Sequence, residues 1–374
     1  MKSLYRNSWA RAIGRTVVVG AVVSLALTWQ QSAIAGSICT RSDLSRQLLW
    51  ISSATWASNL GRLLVVDPLQ NKLILVSSTG KVEFLDDKRL VAKASEMMPA
   101  LIEYAEKENS IILKMIDDRL FWLDRNMGIR KKSELANASA GAEGRIGSTY
   151  DWVAAGDYVL AYGSVKEGGK HRFGFYRWSL QKIKNFNFVR DFQDVDYYLL
   201  GHKYLASLGS DGYFLQMSSE GQIYRVPADG HGRAIALKAF PEDYKSIPRL
   251  RAVSAGPSSD KALFEEIEGL KIPVGLYGGF DGFLYLLTRQ PREDRKTLWL
   301  LHQIDPRRDQ VLGQIELPTS AAHLTIVPGR DNWYVFEKGP VQSASQQRIA
   351  TMLTIPSSLI RSRAMLEQCQ SQGR

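Results

Sequence analysis

The chain has 374 residues, of which 45% are hydrophobic, 10% aromatic and 23% charged. That composition excludes a disordered tail or a collagen-like chain, and the length exceeds one ordinary core, leaving two domains, a large β architecture or a repeat array. The formal charge is +10, but Lys2, Arg6, Arg11 and Arg15 fall in the first 35 residues, which hold no acid; the other 44 bases and 38 acids make a mildly basic, mixed surface that demands no nucleic-acid partner.

The first segment reads as an export address. A basic stretch precedes an uncharged apolar run over residues 16–27, and Ala33 and Ala35 are spaced for a signal peptidase. This pattern predicts a secretory signal peptide over residues 1–35, cleaved before Gly36, and a mature protein in the periplasm or the medium of a bacterium. The apolar run is shorter than the ~18 to 20 residues that cross a bilayer core, so no transmembrane segment is expected after cleavage. No Arg-Arg pair precedes the run, which favours export in the unfolded state. Cys39 and Cys369 are then the two cysteines of the mature chain. In an oxidising compartment they are expected to form a disulfide, closing a loop whose chain-entropy gain is at most about 5 to 6 kcal/mol.

Beyond Gly36 the sequence is a series of short apolar runs punctuated by Gly, Asp, Asn and Pro. Residues 63–66, 72–76 and 81–85 read as three strands joined by turns at Asp67–Asn71 and Ser78–Gly80. The same figure recurs with Gly61, Asn109, Asp157, Asp211, Asp281 and Asp331 as anchors, spaced by 48, 48, 54, 70 and 50 residues. Residues 241–273 form a polar insertion that accounts for the long interval. Six repeats near 50 residues predict an all-β fold, a six-bladed β-propeller over residues 36–374. Stacked blades bury both faces of each sheet, which is why strict apolar and polar alternation is blurred. The last repeat has room for three strands, around 324–327, 333–338 and 348–355, so its fourth is expected from the N-terminus, at residues 48–51. Ser357 opens a helical pattern running to about residue 370, expected to lie across the closing seam.

The Asp-Gly pairs before Tyr213 and Phe283, and the Asp305-Pro306 turn after an apolar strand, resemble the punctuation of six-bladed propellers of the NHL and TolB-like kind. In that family the Asp-Gly pair marks the turn between the first and second strands of a blade. The resemblance implies a fold and leaves the activity open, because such propellers include binding modules, lactonases and other hydrolases.

No Gly-x-Ser-x-Gly elbow, His-Glu-x-x-His motif, EF-hand loop or phosphate-binding glycine loop is present. Propellers bind ligands at one end of the central channel, where loops between blades and between second and third strands converge. Candidates there are Asp151, the group Asp194, Asp196, Tyr197, Tyr198 and His202, and His323; acids orient hydroxyls and rings stack on sugars or peptides. Repeat register adds a second pair: Glu103 and Asp151 both stand six residues before an anchor and are expected to approach each other near the channel, as carboxylates that share a proton or hold Ca²⁺. The runs 130–132 and 290–296 read as solvated loops. The expected function is that of an exported, monomeric binding module for a protein, peptide or glycan, without a cofactor. The rival is a lactonase or esterase with a Ca²⁺ ion held by Glu103 and Asp151.

Overall fold

The computed structural model describes residues 39–44, 48, 51–84, 99–135, 139–140, 144–167, 169–181, 186–191, 203–217, 221–228, 233–246, 266, 269–292, 297–338 and 349–362. Strand β1 (Thr40–Asp43) precedes six antiparallel sheets, each a meander running outward from an inner strand. Blade 1 is β2 (Ser53–Ala57), β3 (Arg62–Asp67), β4 (Lys72–Val76) and β5 (Val82–Phe84); blade 2 is β6 (Pro99–Ala105), β7 (Ser110–Met115), β8 (Arg119–Leu123) and β9 (Ile129–Glu134). Blade 3 has β10 (Ser139–Ala140) beside β11 (Gly144–Ala155), β12 (Tyr158–Glu167), β13 (Lys170–Ser179) and β14 (Phe186–Asp191). Blade 4 is β15 (Leu205–Leu208), β16 (Asp211–Gln216), β17 (Gln222–Val226) and β18 (Ile235–Ala236); blade 5 is β19 (Ile272–Gly278), β20 (Leu284–Pro291), β21 (Thr297–Asp305) and β22 (Gln310–Glu316). Blade 6 comprises β23 (His323–Pro328), β24 (Asn332–Lys338) and β25 (Ile349–Pro356), with β1 as its outer strand, and helix α1 (Ser357–Ser362) follows.

The inner strands meet in sequence around a closed ring, β2 against β6, β6 against β11, β11 against β15, β15 against β19, β19 against β23, and β23 against β2. The chain is therefore a six-bladed β-propeller closed by an N-terminal strand. All six anchors lie at the turn between inner and second strands, or on the residue just after it. Five of those turns contain a residue with positive φ: Gly61, Asn109, Gly156, Gly209 and Gly282. Only Gly, and to a lesser degree Asn, enters that region without steric cost, which is why the repeat shows as Gly, Asn and Asp.

Apolar side chains on both faces of each sheet form the cores between blades. One cluster joins Leu101, Ile112 and Trp122 of blade 2 to Trp152, Val159 and Tyr176 of blade 3, and another joins Leu63, Val65 and Ile74 of blade 1 to Tyr334, Phe336 and Met352 of blade 6. Two hydroxyls stitch neighbouring blades where backbone edges meet. Ser53 accepts the Ile102 N–H at 3.1 Å and donates to its carbonyl at 3.2 Å. Tyr158 donates to the Val226 carbonyl at 2.8 Å and accepts the Gly212 N–H at 2.7 Å.

Closure uses a different segment from the one expected. Of residues 48–51, the described Leu48 and Ile51 are buried in the core between blades 6 and 1 and belong to no strand. The outer strand is β1, with Thr40 opposite Thr354 and Asp43 opposite Thr351. Its mostly exposed Thr-Arg-Ser-Asp sequence suits a solvent-facing edge, whereas the apolar run suits a core. Helix α1 packs on β24 and β25 through buried Leu359 and Ile360, and Arg361 reaches Asp281 of blade 5 at 3.6 Å. Its described turns thus span blades 5 and 6 and not the closing seam, and residues 363–370 lie outside the described part. Arg130, Lys131 and Lys132 belong to outer strand β9 and not to a loop, with the Lys131 ammonium 4.4 Å from the Trp122 ring centre. Lysines on an outer edge discourage pairing with another chain. The signal-peptide expectation and Cys369 also fall outside the described residues; Cys39 is buried. Among the described residues no helix is long and apolar enough to cross a membrane.

Candidate binding site in the central channel

A cavity of about 590 Å³ is lined by the later halves of inner strands from all six blades, including Thr55, Glu103, Val153, Ala206, Tyr277 and Val327. It extends to the turns that follow those strands, at Glu106, Lys107, Gly156 and Ser210, and to the third-to-outer-strand turn at Arg307. Because all inner strands run the same way, these turns share one end of the channel. The loops nominated from sequence, such as Asp67–Asn71 and Asp117–Arg119, join second to third strands and lie at the other end. Asp67 there accepts the N–H groups of Leu69 and Gln70, both at 3.1 Å, in a local turn.

Three consecutive blades place ionisable groups in the channel. Glu103 of β6 is 9% exposed, and its carboxylate lies 4.0 Å from the ammonium of Lys203. Lys203 enters just ahead of β15, where it bridges Gly275 in parallel fashion and its carbonyl accepts the Leu276 N–H at 2.8 Å. Asp151 of β11 follows a β-bulge at Tyr150, which re-aims the strand; its Oδ2 is buried without a hydrogen-bond partner. The hairpin after β6 has a four-residue turn and that after β11 a two-residue turn. Glu103 therefore stands two residues, and Asp151 four, before the end of its strand. An even offset keeps both acids on the same face, and Asp151 acts on Glu103, although the two stand two residues out of the register read from sequence.

Burial raises the Glu103 pKa to about 7; Lys203 pulls it down and Asp151 pushes it up. Asp151 is also raised by burial, against the pull of Lys203. For Lys203, burial disfavours the ammonium, but Asp151 and then Glu103 outweigh it and hold the pKa above its usual value. Tyr277, from blade 5, lines the same cavity with its hydroxyl kept protonated, chiefly by burial and then by Asp151. This is an enclosed group of two acids and one base, of which Glu103 and Lys203 line the cavity, one acid being poised near neutrality.

Calcium does not fit that donor set. Ca²⁺ takes six to eight oxygen ligands, whereas Glu103 and Asp151 already face an ammonium, and among the described residues no three His, Cys, Asp or Glu side chains group to hold a metal. Of the other nominated residues, His323 begins β23, at the end of that strand away from the cavity. Asp194, Asp196, Tyr197, Tyr198 and His202 lie outside the described residues. Lys203 is the residue that sequence reasoning missed: it stands eight residues before its anchor, out of step with Glu103 and Asp151. His302 is buried in blade 5, with its Nε2 3.0 Å from the Thr288 hydroxyl and its ring against Tyr244, and burial lowers its pKa to about 4. It is a core histidine.

No protein-family model matches this chain, and no curated protein sequence is similar to it. Solved structures do match. A candidate gluconolactonase aligns over 86% of this chain and 93% of its own at 13% identity, with a TM-score of 0.51. A gluconolactonase from Xanthomonas campestris aligns over 87% and 92% at 13% identity, with a TM-score of 0.50. At that identity the likeness concerns architecture alone, and this chain is a six-bladed β-propeller.

Proposed function

We propose that this protein is an exported, monomeric binding module that takes a peptide or glycan into the channel cavity at the inner-hairpin end. The observation that carries this reading is the pair Glu103 and Lys203 at the inner end of a cavity that all six blades line, with Asp151 acting on both. The Glu103 carboxylate faces that cavity with its nearest base at 4.0 Å, which leaves acceptor capacity for a ligand donor. Export rests on the basic, apolar and small-residue order of residues 1–35, and a Cys39–Cys369 disulfide belongs to the same reading. Thiol titration of the exported, denatured protein is expected to find no free thiol. To test binding, the purified protein is screened against peptide and oligosaccharide libraries. Retained ligands that Lys203→Met no longer holds support the reading; retention unaffected by Lys203→Met, or no retention at all, overturns it.

A second reading, hydrolysis of a lactone or ester, is favoured by Glu103, whose pKa near 7 suits a general acid or base. The names of the similar gluconolactonases point the same way. As a calcium enzyme it would require the ion to displace the Lys203 ammonium. Turnover of gluconolactone that Glu103→Gln abolishes would establish this reading in place of the first.

A further inference from the structure

The charges of the cavity are separated along it. At the inner end Glu103 and Lys203 line the wall, while Asp151 is not among the lining residues: its charge acts on both of them, and one of its oxygens is buried without a hydrogen bond. At the mouth bases outnumber acids: Lys107, Arg225 and Arg307 line the wall with Glu106 and Asp211. Asp211 is taken by Arg225, with Nε at 2.8 Å and a terminal nitrogen at 2.7 Å. Arg307 is exposed on its turn and makes no ion pair among the described residues, while its backbone is held by Asp305 at 2.9 Å. Both guanidinium groups act on the same neighbour, Tyr213, which also lines the cavity. Between the two ends the wall includes Ala206, Leu205 and Tyr277.

We propose that the ligand is a short peptide bound by both termini, its α-ammonium against Glu103, with the enclosed Asp151 adding its charge, and its α-carboxylate against Arg307 and Arg225. This inference rests on the binding reading above. An ammonium supplies donors to the Glu103 carboxylate, whose nearest base stands 4.0 Å away, and a planar guanidinium takes a carboxylate bidentately. A neutral sugar would leave Arg307 without a counter-charge. The cavity volume lies in the range that encloses a compact ligand, about three residues of peptide.

The test is affinity selection of randomised tripeptides on the purified protein, with retained species counted by mass spectrometry. Three libraries are compared: free termini, N-acetylated, and C-amidated. The free library is expected to be retained about tenfold more than either blocked one, the effect of one charge-assisted hydrogen bond. Arg307→Gln is expected to erase the difference between acid and amide while leaving the penalty for acetylation. The double variant Glu103→Gln, Asp151→Asn is expected to do the reverse. Equal retention of free and blocked libraries overturns the proposal, as does equal sensitivity of Arg307→Gln to both blocks. An oligosaccharide library retained in place of the peptides sinks this inference and leaves the binding reading standing. Retention of neither sinks both.

Discussion

Two buried glutamates, one at the closing seam and one in the channel, are treated in opposite ways. Glu337 of β24, 8% exposed at its side chain, is met by the Arg41 guanidinium at 2.8 Å and by the Thr351 hydroxyl, and Arg41 goes on to the Pro318 carbonyl at 3.0 Å. That network ties β1 to blade 6 and on to the blade 5 connection, and its groups are satisfied by the fold. Glu103 has an ammonium at 4.0 Å, which Asp151 also uses, with a cavity in front of it. Where the protein needs a polar group for closure it completes the partners itself; in the channel it leaves acceptor capacity open. Satisfied burial marks structure, and unsatisfied burial beside a cavity marks a place for something else.

The largest expected effect comes from removing the base that holds the channel acids. Lys203→Met leaves two enclosed carboxylates without a counter-charge and should cost about 3 kcal/mol or more at pH 8. The loss should shrink toward pH 5, where the acids protonate, and urea unfolding at the two pH values measures it. If the cost is the same at both, the ammonium is not what balances the acids.

Glu103→Gln should act with the opposite sign. The Glu103 pKa is raised from 4.5 to about 7, so the folded state binds more protons than the unfolded state in that window and stability falls as pH rises through it. The neutral variant escapes this loss. It should match the wild type near pH 4.5 and exceed it at pH 8 by as much as about 3 kcal/mol, the attraction of Lys203 being already contained in that pKa. A variant less stable than the wild type at pH 8 would show that Glu103 is structural, as Glu337 is.

Arg41→Met should have the smallest effect, about 1 to 2 kcal/mol, because the arginine is 39% exposed while its partner is buried. No change in ligand retention is expected, since Arg41 does not line the cavity. Altered retention would mean that seam and channel are coupled.

Sequence reading reached the ring because its signal is local. Five of the six inner hairpins hold a residue at positive φ, and Gly61, Asn109, Gly156 and Gly282 advertise it. The acidic pair was legible for a similar reason: strands of equivalent repeats keep the parity of their faces, so an error of two residues still brought Glu103 to Asp151. Strand β1 was not legible, because an outer strand with one exposed edge has no apolar period to display. Lys203 was hidden because it reaches Glu103 from two blades away through a contact of the ring and not of the repeat. The end of the channel that opens was hidden as well: sequence gives the turns, but which set of turns frames the cavity follows from how the inner strands pack.

The most direct measurement is a crystal structure of the purified protein with a retained tripeptide. The account predicts ligand density in the channel, with the amino terminus at Glu103 and the carboxylate at Arg307. Density on the face formed by the second-to-third-strand turns, or a channel holding only solvent while the peptide sits elsewhere, would contradict it.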